Sequence, residues 1–336
     1  MKKRIKVAIT MGDPAGIGPE IIAKMFLKEN LYNYCDVFVI GDLMPMLSAQ
    51  RKISKKLGIK IINDDLKITN KKNIINLYDL KQVNFNKIVI GESGAEAGLA
   101  SYKYLTKAIN MALTKKTDAI VTAPINKHSL HLAKLKYPGH TEILAKFSNT
   151  KKYAMMLMGE KLKVALVTMH ISLKEVSKNL SIKKIFDKIE ITHNSLKKDF
   201  KIKEPRIAVL GLNPHSGEEG AFGDEEIKII KPAIEKAKRK KINVTGPYPP
   251  DTIFHKVVYK QSHDAVICMY HDQGLIPLKL LSFDTGVNVT LGLPFVRTSP
   301  DHGTAYDIAG TGKASCNSIL SALKVACHIA QNRKNG

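Results

Sequence analysis

Three histidines in this sequence come at the ends of apolar runs, which is where a folded α/β protein commonly binds its ligands. Each run is bounded by polar, turn-forming residues, and this predicts a buried strand that ends in a loop. The histidines are His170, His215 and His271, and the runs before them are 162–169, 206–212 and 265–270. In open α/β sheets, ligands bind just outside the carboxyl ends of the strands. The pattern therefore places three ligand-type side chains where a site is expected.

Imidazole is a preferred ligand of zinc and similar ions, and three protein ligands with one open position are typical of catalytic metal sites. A single histidine at such a place fits a solvated loop residue, or one that fixes a loop by a hydrogen bond, at least as well. Three histidines at equivalent strand ends favour convergence on one metal ion. Because they are scattered through the sequence, this hypothesis depends on the fold.

The elements that must position these side chains are predicted to be alternating strands and helices. The first strand, at 5–10, leads into the glycine-containing turn 11–20 and then a helix. This is the layout of a phosphate-binding turn, but the spacing G-x-G-x-x-G is absent, so a simple tight turn fits equally well. The alternation continues along the chain, apart from the polar stretch 51–86, and predicts an α/β fold with a largely parallel sheet.

Composition limits the class of protein. The chain has 336 residues, enough for two α/β domains, and a formal net charge of +23. Such a charge fits a nucleic acid or an anionic small ligand, but the lysines are dispersed and form no basic stripe with interleaved aromatic residues. A Lys- and Asn-rich composition explains the charge at least as well as a partner does, and we expect no nucleic acid partner. The four cysteines show no paired spacing, which indicates a reducing compartment. With neither a signal peptide nor an apolar stretch of membrane-spanning length, we expect a cytoplasmic protein without membrane contact.

Six strings in the sequence resemble a known enzyme family. The segments GIGPE and HGTAYDIAG resemble the isocitrate and isopropylmalate dehydrogenases. The longer strings are similar to the 4-hydroxythreonine-4-phosphate dehydrogenases of pyridoxal phosphate biosynthesis. They are MGDPAGIGPE, YPGHTE, GLNPHSGE, PPDT, YHDQGLIPLK and SPDHGTAYDIAG. They run from residue 11 to residue 310, nearly the whole chain, and their common order makes the resemblance far more specific than any one string.

The resemblance implies a homodimer of two-domain subunits, each domain an α/β/α sandwich, with the active site in the inter-domain cleft at the dimer interface. One domain would comprise 1–123 plus 298–336, and the other 124–297. A divalent metal would be held by His170, His215 and His271, contributed by both subunits. Histidine ligands favour zinc over magnesium, with magnesium and cobalt as alternatives.

The resemblance also implies where the substrate and the nicotinamide cofactor bind. NAD or NADP would lie against the HGTAYDIAG loop and not against the glycine turn. The cofactor-binding residues would be His302, Gly303, Thr304, Ala305, Asp307 and Gly310. The phosphorylated substrate would contact His140, Thr141, Lys279, Asn288 and Arg297.

The implied reaction is the oxidation of 4-phosphooxy-L-threonine to 2-amino-3-oxo-4-phosphooxybutanoate, which decarboxylates to 3-amino-2-oxopropyl phosphate. Asp272 and Asp251, the latter in a rigid proline loop, are the carboxylates best placed to act as base or to bind the amine. Either could instead orient a metal-binding histidine, and Lys279 is a third catalytic candidate. A threonate or erythronate 4-phosphate dehydrogenase on the same scaffold is the alternative function.

Overall fold

The computed structural model describes residues 4–335 and shows a mixed α/β chain, as the alternation predicts. Within this range the strands are β1 (Lys6–Thr10), β2 (Asp36–Gly41), β3 (Gly58–Ile62), β4 (Ile74–Asp79), β5 (Ala119–Thr122), β6 (Ala154–Met158), β7 (Lys163–Leu166), β8 (Ile207–Leu210), β9 (Val244–Tyr248), β10 (Ala265–Cys268), β11 (Val287–Leu291) and β12 (Val296–Pro300). The α-helices are α1 (Gly18–Lys28), α2 (Leu43–Ile53), α3 (Ala95–Leu113), α4 (Lys127–Leu132), α5 (His140–Phe147), α6 (Val176–Asn179), α7 (Ile182–Phe200), α8 (Lys231–Arg239), α9 (Pro250–Lys260), α10 (His271–Ser282) and α11 (Asn317–Lys334). A π-helical turn, Glu226–Ile230, leads directly into α8.

The described chain divides into two compact units. Unit 1 comprises the described residues up to Lys151 together with Leu293–Gln331, and unit 2 comprises Lys152–Gly292 with the described residues from Asn332 onward. The helices α4 and α5 pack against α3, which keeps the segment after β5 in unit 1. The division at 123/124 and 297/298 that the resemblance implies stays a prediction.

The sheet of unit 1 is parallel throughout, in the strand order β3-β4-β2-β1-β5-β12. The central strands β1, β2 and β5 are buried on both faces, apart from the first residues of β1 and β2. Their near-continuous apolar runs follow from this position, since a parallel strand has no solvent face. The edge strand β3 is half exposed, which explains why the polar stretch 51–86 gave no clear pattern.

The sheet of unit 2 has the order β11-β6-β7-β10-β8-β9. Strands β7, β10, β8 and β9 are parallel, whereas β6 is antiparallel to both β7 and β11. The three strands that precede the histidines, β7, β8 and β10, are therefore adjacent, with β10 in the middle. Because these strands are parallel, their C-terminal ends lie at the same end of the sheet. The three segments that carry the histidines therefore all begin there. None of the helices in residues 4–335 has both the length and the apolar character needed to cross a membrane.

Candidate active site

His170 and His271 lie close together in unit 2, with their ring centroids 5.8 Å apart. His215 packs instead against Phe222, with a centroid distance of 6.2 Å. Among the residues that the structure describes, no three His, Cys, Asp or Glu side chains are grouped so that they could hold a metal ion. One chain thus unites two of the three predicted ligands, and their role as a metal site stays a prediction.

The surroundings of His271 fit a metal ligand. Its Nδ1 is 2.7 Å from Oδ1 of Asp272. A carboxylate that accepts the Nδ1 proton fixes the tautomer and leaves the Nε2 lone pair for a metal ion, which is the usual arrangement around metal-bound histidines. Asp272 is therefore placed to orient His271, one of the three roles expected for it.

The sequence places His271 and Asp251 in loops, and the structure corrects both expectations. His271 is the first residue of α10, and Gly274 lies inside this helix. That glycine serves packing, since a Cβ there would be 3.0 Å from Sγ of Cys268. Asp251 is exposed in the first turn of α9. The helix begins at Pro250, since proline fits the first helical position.

Gln273 is a buried polar residue close to His271 in the chain that the sequence reasoning missed. It is 7% exposed, accepts a hydrogen bond from the main-chain N–H of Met269 at 2.7 Å, and donates one to the carbonyl of Gly211 at 2.8 Å. The side chain thereby joins the start of α10 to the ends of β10 and β8. A buried glutamine five residues past the end of β10 leaves no periodic signal, and only its place in the string YHDQG marked the position.

Unit 1 contains a buried cation next to a histidine. Arg297 on β12 is 2% exposed, and its Nη2 and Nε donate to Oγ1 of Thr122 at 2.7 and 3.2 Å. Burial lowers the pKa of Arg297 to about 9, against the opposing effect of Glu142. A bound anion strongly stabilises a desolvated guanidinium, and the geometry of phosphate suits it especially well.

His140, the first residue of α5, has a buried Nε2 without a hydrogen-bond partner among the described residues. Burial, and then the charge of Arg297, hold the pKa of His140 well below its usual value. The ring is therefore neutral near pH 7 and offers a single proton as a hydrogen-bond donor. Thr141 beside it is 5% exposed. Three of the five predicted substrate residues thus lie in unit 1, where Arg297 is close enough to His140 to affect its pKa. Their role in substrate binding stays a prediction.

The other two predicted substrate residues belong to unit 2. Asn288 lies on β11, and its buried Oδ1 has no hydrogen-bond partner in the described part of the chain. Lys279 lies on α10 with its Nζ 5.7 Å from the ring centroid of Phe283.

The glycine turn packs against the HGTAYDIAG loop, and this contact accounts for the glycine at position 16 without a phosphate. The main-chain N–H of Ile17 donates to the carbonyl of Thr304 at 3.0 Å. A Cβ on Gly16 would lie 3.0 Å from Cβ of Thr304. The hydroxyl of Tyr306 donates to Oδ2 of Asp13 at 2.8 Å. The turn therefore supports the loop, and the expectation that the cofactor binds the loop and not the turn stays a prediction.

A cavity of about 710 Å³ in unit 1 is bordered by the glycine turn, α2 and the end of the HGTAYDIAG loop. Of the six predicted cofactor-binding residues, Gly310 lines it. Within the loop, His302, Gly303 and Asp307 are exposed, whereas Thr304 is buried against the glycine turn.

Removal of the Tyr306 hydroxyl tests how firmly the loop is held. Asp13 is fully buried, and burial raises the pKa of its carboxyl. Tyr306→Phe removes the tyrosine donor to Oδ2 of this buried carboxylate, while Oδ1 keeps the main-chain N–H of Ala15. We therefore expect the free energy of unfolding to fall by about 1–3 kcal/mol. Urea unfolding measures it. Tyr259→Phe, at a 67% exposed tyrosine, is the matched control, and equal stability of the two variants would contradict the expectation.

Both the sequence and the fold of this chain are similar to those of known proteins. The model of the family described as pyridoxal phosphate biosynthetic protein PdxA matches residues 33–326. A 4-hydroxythreonine-4-phosphate dehydrogenase of Desulfosudis oleivorans is 46% identical over 327 residues, which are 97% of this chain and 96% of that protein. A D-threonate 4-phosphate dehydrogenase of Salmonella typhimurium is 46% identical over 325 residues, covering 96% and 98%. The crystal structure of a 4-hydroxythreonine-4-phosphate dehydrogenase from Klebsiella pneumoniae has 44% sequence identity and a TM-score of 0.89, covering 98% of this chain and 100% of that one.

Proposed function

Because this chain belongs to the PdxA family of pyridoxal phosphate biosynthetic proteins and is an oxidoreductase of the 4-hydroxythreonine-4-phosphate dehydrogenase type, we propose the full reaction. The enzyme oxidises the C3 hydroxyl of 4-phosphooxy-L-threonine with NAD or NADP and yields 2-amino-3-oxo-4-phosphooxybutanoate. This β-keto acid loses carbon dioxide to give 3-amino-2-oxopropyl phosphate. The observation that carries the proposal is the pair His170 and His271, 5.8 Å apart at the ends of adjacent parallel strands.

Three histidines would hold a divalent ion: His170 and His271 of one subunit, with His215 supplied across a homodimer. The ion, for which zinc is favoured over magnesium and cobalt, would supply Lewis-acid polarisation of the oxygen at C3. Asp272 keeps His271 in the ligating tautomer. Asp251, exposed at the start of α9, and Lys279 are then the groups proposed to accept the hydroxyl proton.

The phosphate would be bound by Arg297, His140 and Thr141, and Asn288 and Lys279 are the other residues proposed to contact the substrate. The physical support is the buried, desolvated guanidinium of Arg297, which a phosphate dianion would neutralise. The cofactor would lie along the HGTAYDIAG loop, where Gly310 borders the cavity of unit 1.

The second candidate function is the dehydrogenation of a threonate or erythronate 4-phosphate. The observation that favours it is the 46% identity to the relative named D-threonate 4-phosphate dehydrogenase, equal to that of the first relative above. The two substrates differ at C2, which carries an amine in one and a hydroxyl in the other. The metal, the phosphate contacts and the cofactor would be the same in both reactions.

The formation of NADH or NADPH, followed by absorbance, tests the proposal. Purified protein receives 4-phosphooxy-L-threonine or D-threonate 4-phosphate with either cofactor, before and after removal of metal by a chelator and again after addition of zinc. We expect activity on the first substrate that disappears on chelation and returns with zinc. Activity on the threonate substrate alone would select the second candidate, and activity indifferent to chelation would refute the metal.

The four cysteines are free and buried, as expected in a reducing compartment. This supports the proposal that the enzyme works in the cytoplasm.

The proposed homodimer has physical support on α10. One face of this helix packs into the core of unit 2 through Leu275 and Leu278. The opposite face and the residue that follows it expose Ile276, Leu280 and Phe283 by 68%, 86% and 77%. These positions recur at helical spacing and form an apolar strip on the outer face of α10. Exposed strips of this kind usually mark a protein contact.

Leu280→Asp tests this face. A charge in the centre of an apolar interface costs roughly 2 kcal/mol or more, so we expect dimer dissociation to increase at least about 30-fold. Sedimentation velocity at several protein concentrations measures it. Leu113→Asp, at a 43% exposed leucine on α3, should leave the dimer intact. A stable dimer of the Leu280 variant would exclude this face as the interface.

A further inference from the structure

The segment that carries His215 has a left-handed backbone. Five consecutive residues have positive φ values: His215 at 52°, Ser216 at 56°, Gly217 at 86°, Glu218 at 42° and Glu219 at 54°. Residues with a side chain lose about 1–2 kcal/mol each in this conformation. Four of the five are not glycine, so neighbouring groups must hold the segment in place.

Two carboxylates accept hydrogen bonds from the residues just before this segment. Oε2 of Glu225 accepts one, from the side-chain amide of Asn213 at 2.7 Å, and Glu226 accepts three. Oε1 of Glu226 accepts from the main-chain N–H groups of Leu212 and Asn213 at 2.7 and 2.8 Å. Its Oε2 accepts from the side-chain amide of Asn213 at 2.9 Å. Glu226 is 1% exposed, and it begins the π-helical turn that leads into α8. Three donors within three residues of His215 are thus held by one buried carboxylate on a helix.

The fit around this carboxylate is close on both sides. A Cβ on Gly211 would lie 3.0 Å from Oε1, and a Cβ on Gly217 would lie 2.7 Å from Oε2. The glycines before and after His215 therefore leave room for the carboxylate. The left-handed turn closes around Glu226, and the position of His215 depends on this side chain.

We propose that Glu226 is the positioning residue of His215. Its carboxylate accepts hydrogen bonds from the N–H groups at the start of the turn. It thereby fixes the main chain before His215, and with it the position and orientation of the imidazole. The inference rests on the proposed role of His215 as a metal ligand. It adds a residue outside the ligand set on which metal affinity depends.

Titration of zinc into metal-free protein, followed by calorimetry, tests the proposal. Glu226→Ala should weaken zinc binding about 10- to 100-fold, the usual effect of removing a group that orients a ligand. Glu226→Gln keeps an oxygen for the two main-chain donors, so its loss should be smaller than that of the alanine variant. Glu235→Ala removes an exposed carboxylate of α8 that pairs with Lys238 and should bind zinc as the wild type does.

Amide hydrogen exchange of the metal-free protein separates positioning from a loss of folding. In Glu226→Ala, the amides of Leu212 and Asn213 should lose protection while those of the core strands β8 and β10 keep it. In Glu226→Gln they should stay protected. If the alanine variant does not fold, Glu226→Asp replaces it, since its shorter side chain cannot reach both donors. Wild-type zinc affinity in a folded alanine or aspartate variant would overturn the positioning role.

His215→Ala in the same titration distinguishes two failures: that of the positioning role of Glu226 and that of the proposed metal role of His215. If the wild type and His215→Ala bind zinc equally, or neither binds it, the metal role of His215 is wrong and the positioning role is overturned with it. If His215→Ala is weakened and Glu226→Ala is not, the metal role stands and only the positioning role is lost.

Discussion

His271→Ala is expected to lower kcat by about 1,000-fold or more in the presence of zinc, with the fold intact. A factor of 1,000 corresponds to about 4 kcal/mol of transition-state stabilisation, which is within the several kcal/mol that a metal ion supplies at a developing oxyanion. The fold should persist because His271 is partly exposed, with 37% of its side chain accessible. No core cavity results from its truncation.

Steady-state rates, calorimetric zinc binding and circular dichroism together measure this effect. Asp272 also loses its imidazole partner, so Asp272→Asn serves as a second variant that keeps the ligand but weakens its orientation. We expect it to be less impaired than His271→Ala. His131→Ala, at an exposed histidine of α4, is the control and should behave as the wild type does. A near-normal rate of His271→Ala in metal-free buffer would refute the metal mechanism.

Arg297→Ala is expected to raise KM for the phosphorylated substrate about 100-fold. The reason is burial: a guanidinium removed from water makes charge-assisted hydrogen bonds to phosphate, and the loss of such a buried partner costs roughly 3 kcal/mol. Arg297→Lys keeps the charge but not the planar fork, so an intermediate increase of about tenfold is expected.

A substrate without its phosphate makes the test specific. With 4-hydroxy-L-threonine, wild type and Arg297→Ala should have similar kcat/KM, because the group that Arg297 binds is missing from the substrate. A defect of equal size on both substrates would mean that the variant disturbs β12 or Thr122 and does not act through phosphate. An unchanged KM for the phosphorylated substrate would remove Arg297 from the site.

The α/β class and the strands that carry the histidines could be predicted from the sequence, because hydrophobic periodicity is a local signal. Strands buried on both faces must be apolar throughout, so β7, β8 and β10 are visible as runs. The glycines and prolines of the turns add to this signal. Helix starts were harder: α9 and α10 begin at residues whose neighbours, two prolines and a glycine, indicate loops when the tertiary contacts are unknown.

The sequence by itself thus determined the class of fold, the three histidines and the strings that identify the family, since each depends on residue types in a fixed order. Only the tertiary structure decided that β7, β10 and β8 are neighbours and that His170 meets His271 while His215 packs against Phe222. It alone showed that Arg297 is buried and that Glu226 holds the turn of His215. The physical reason is that pairing, burial and hydrogen bonds join residues far apart in the chain, and no local pattern encodes which of them meet.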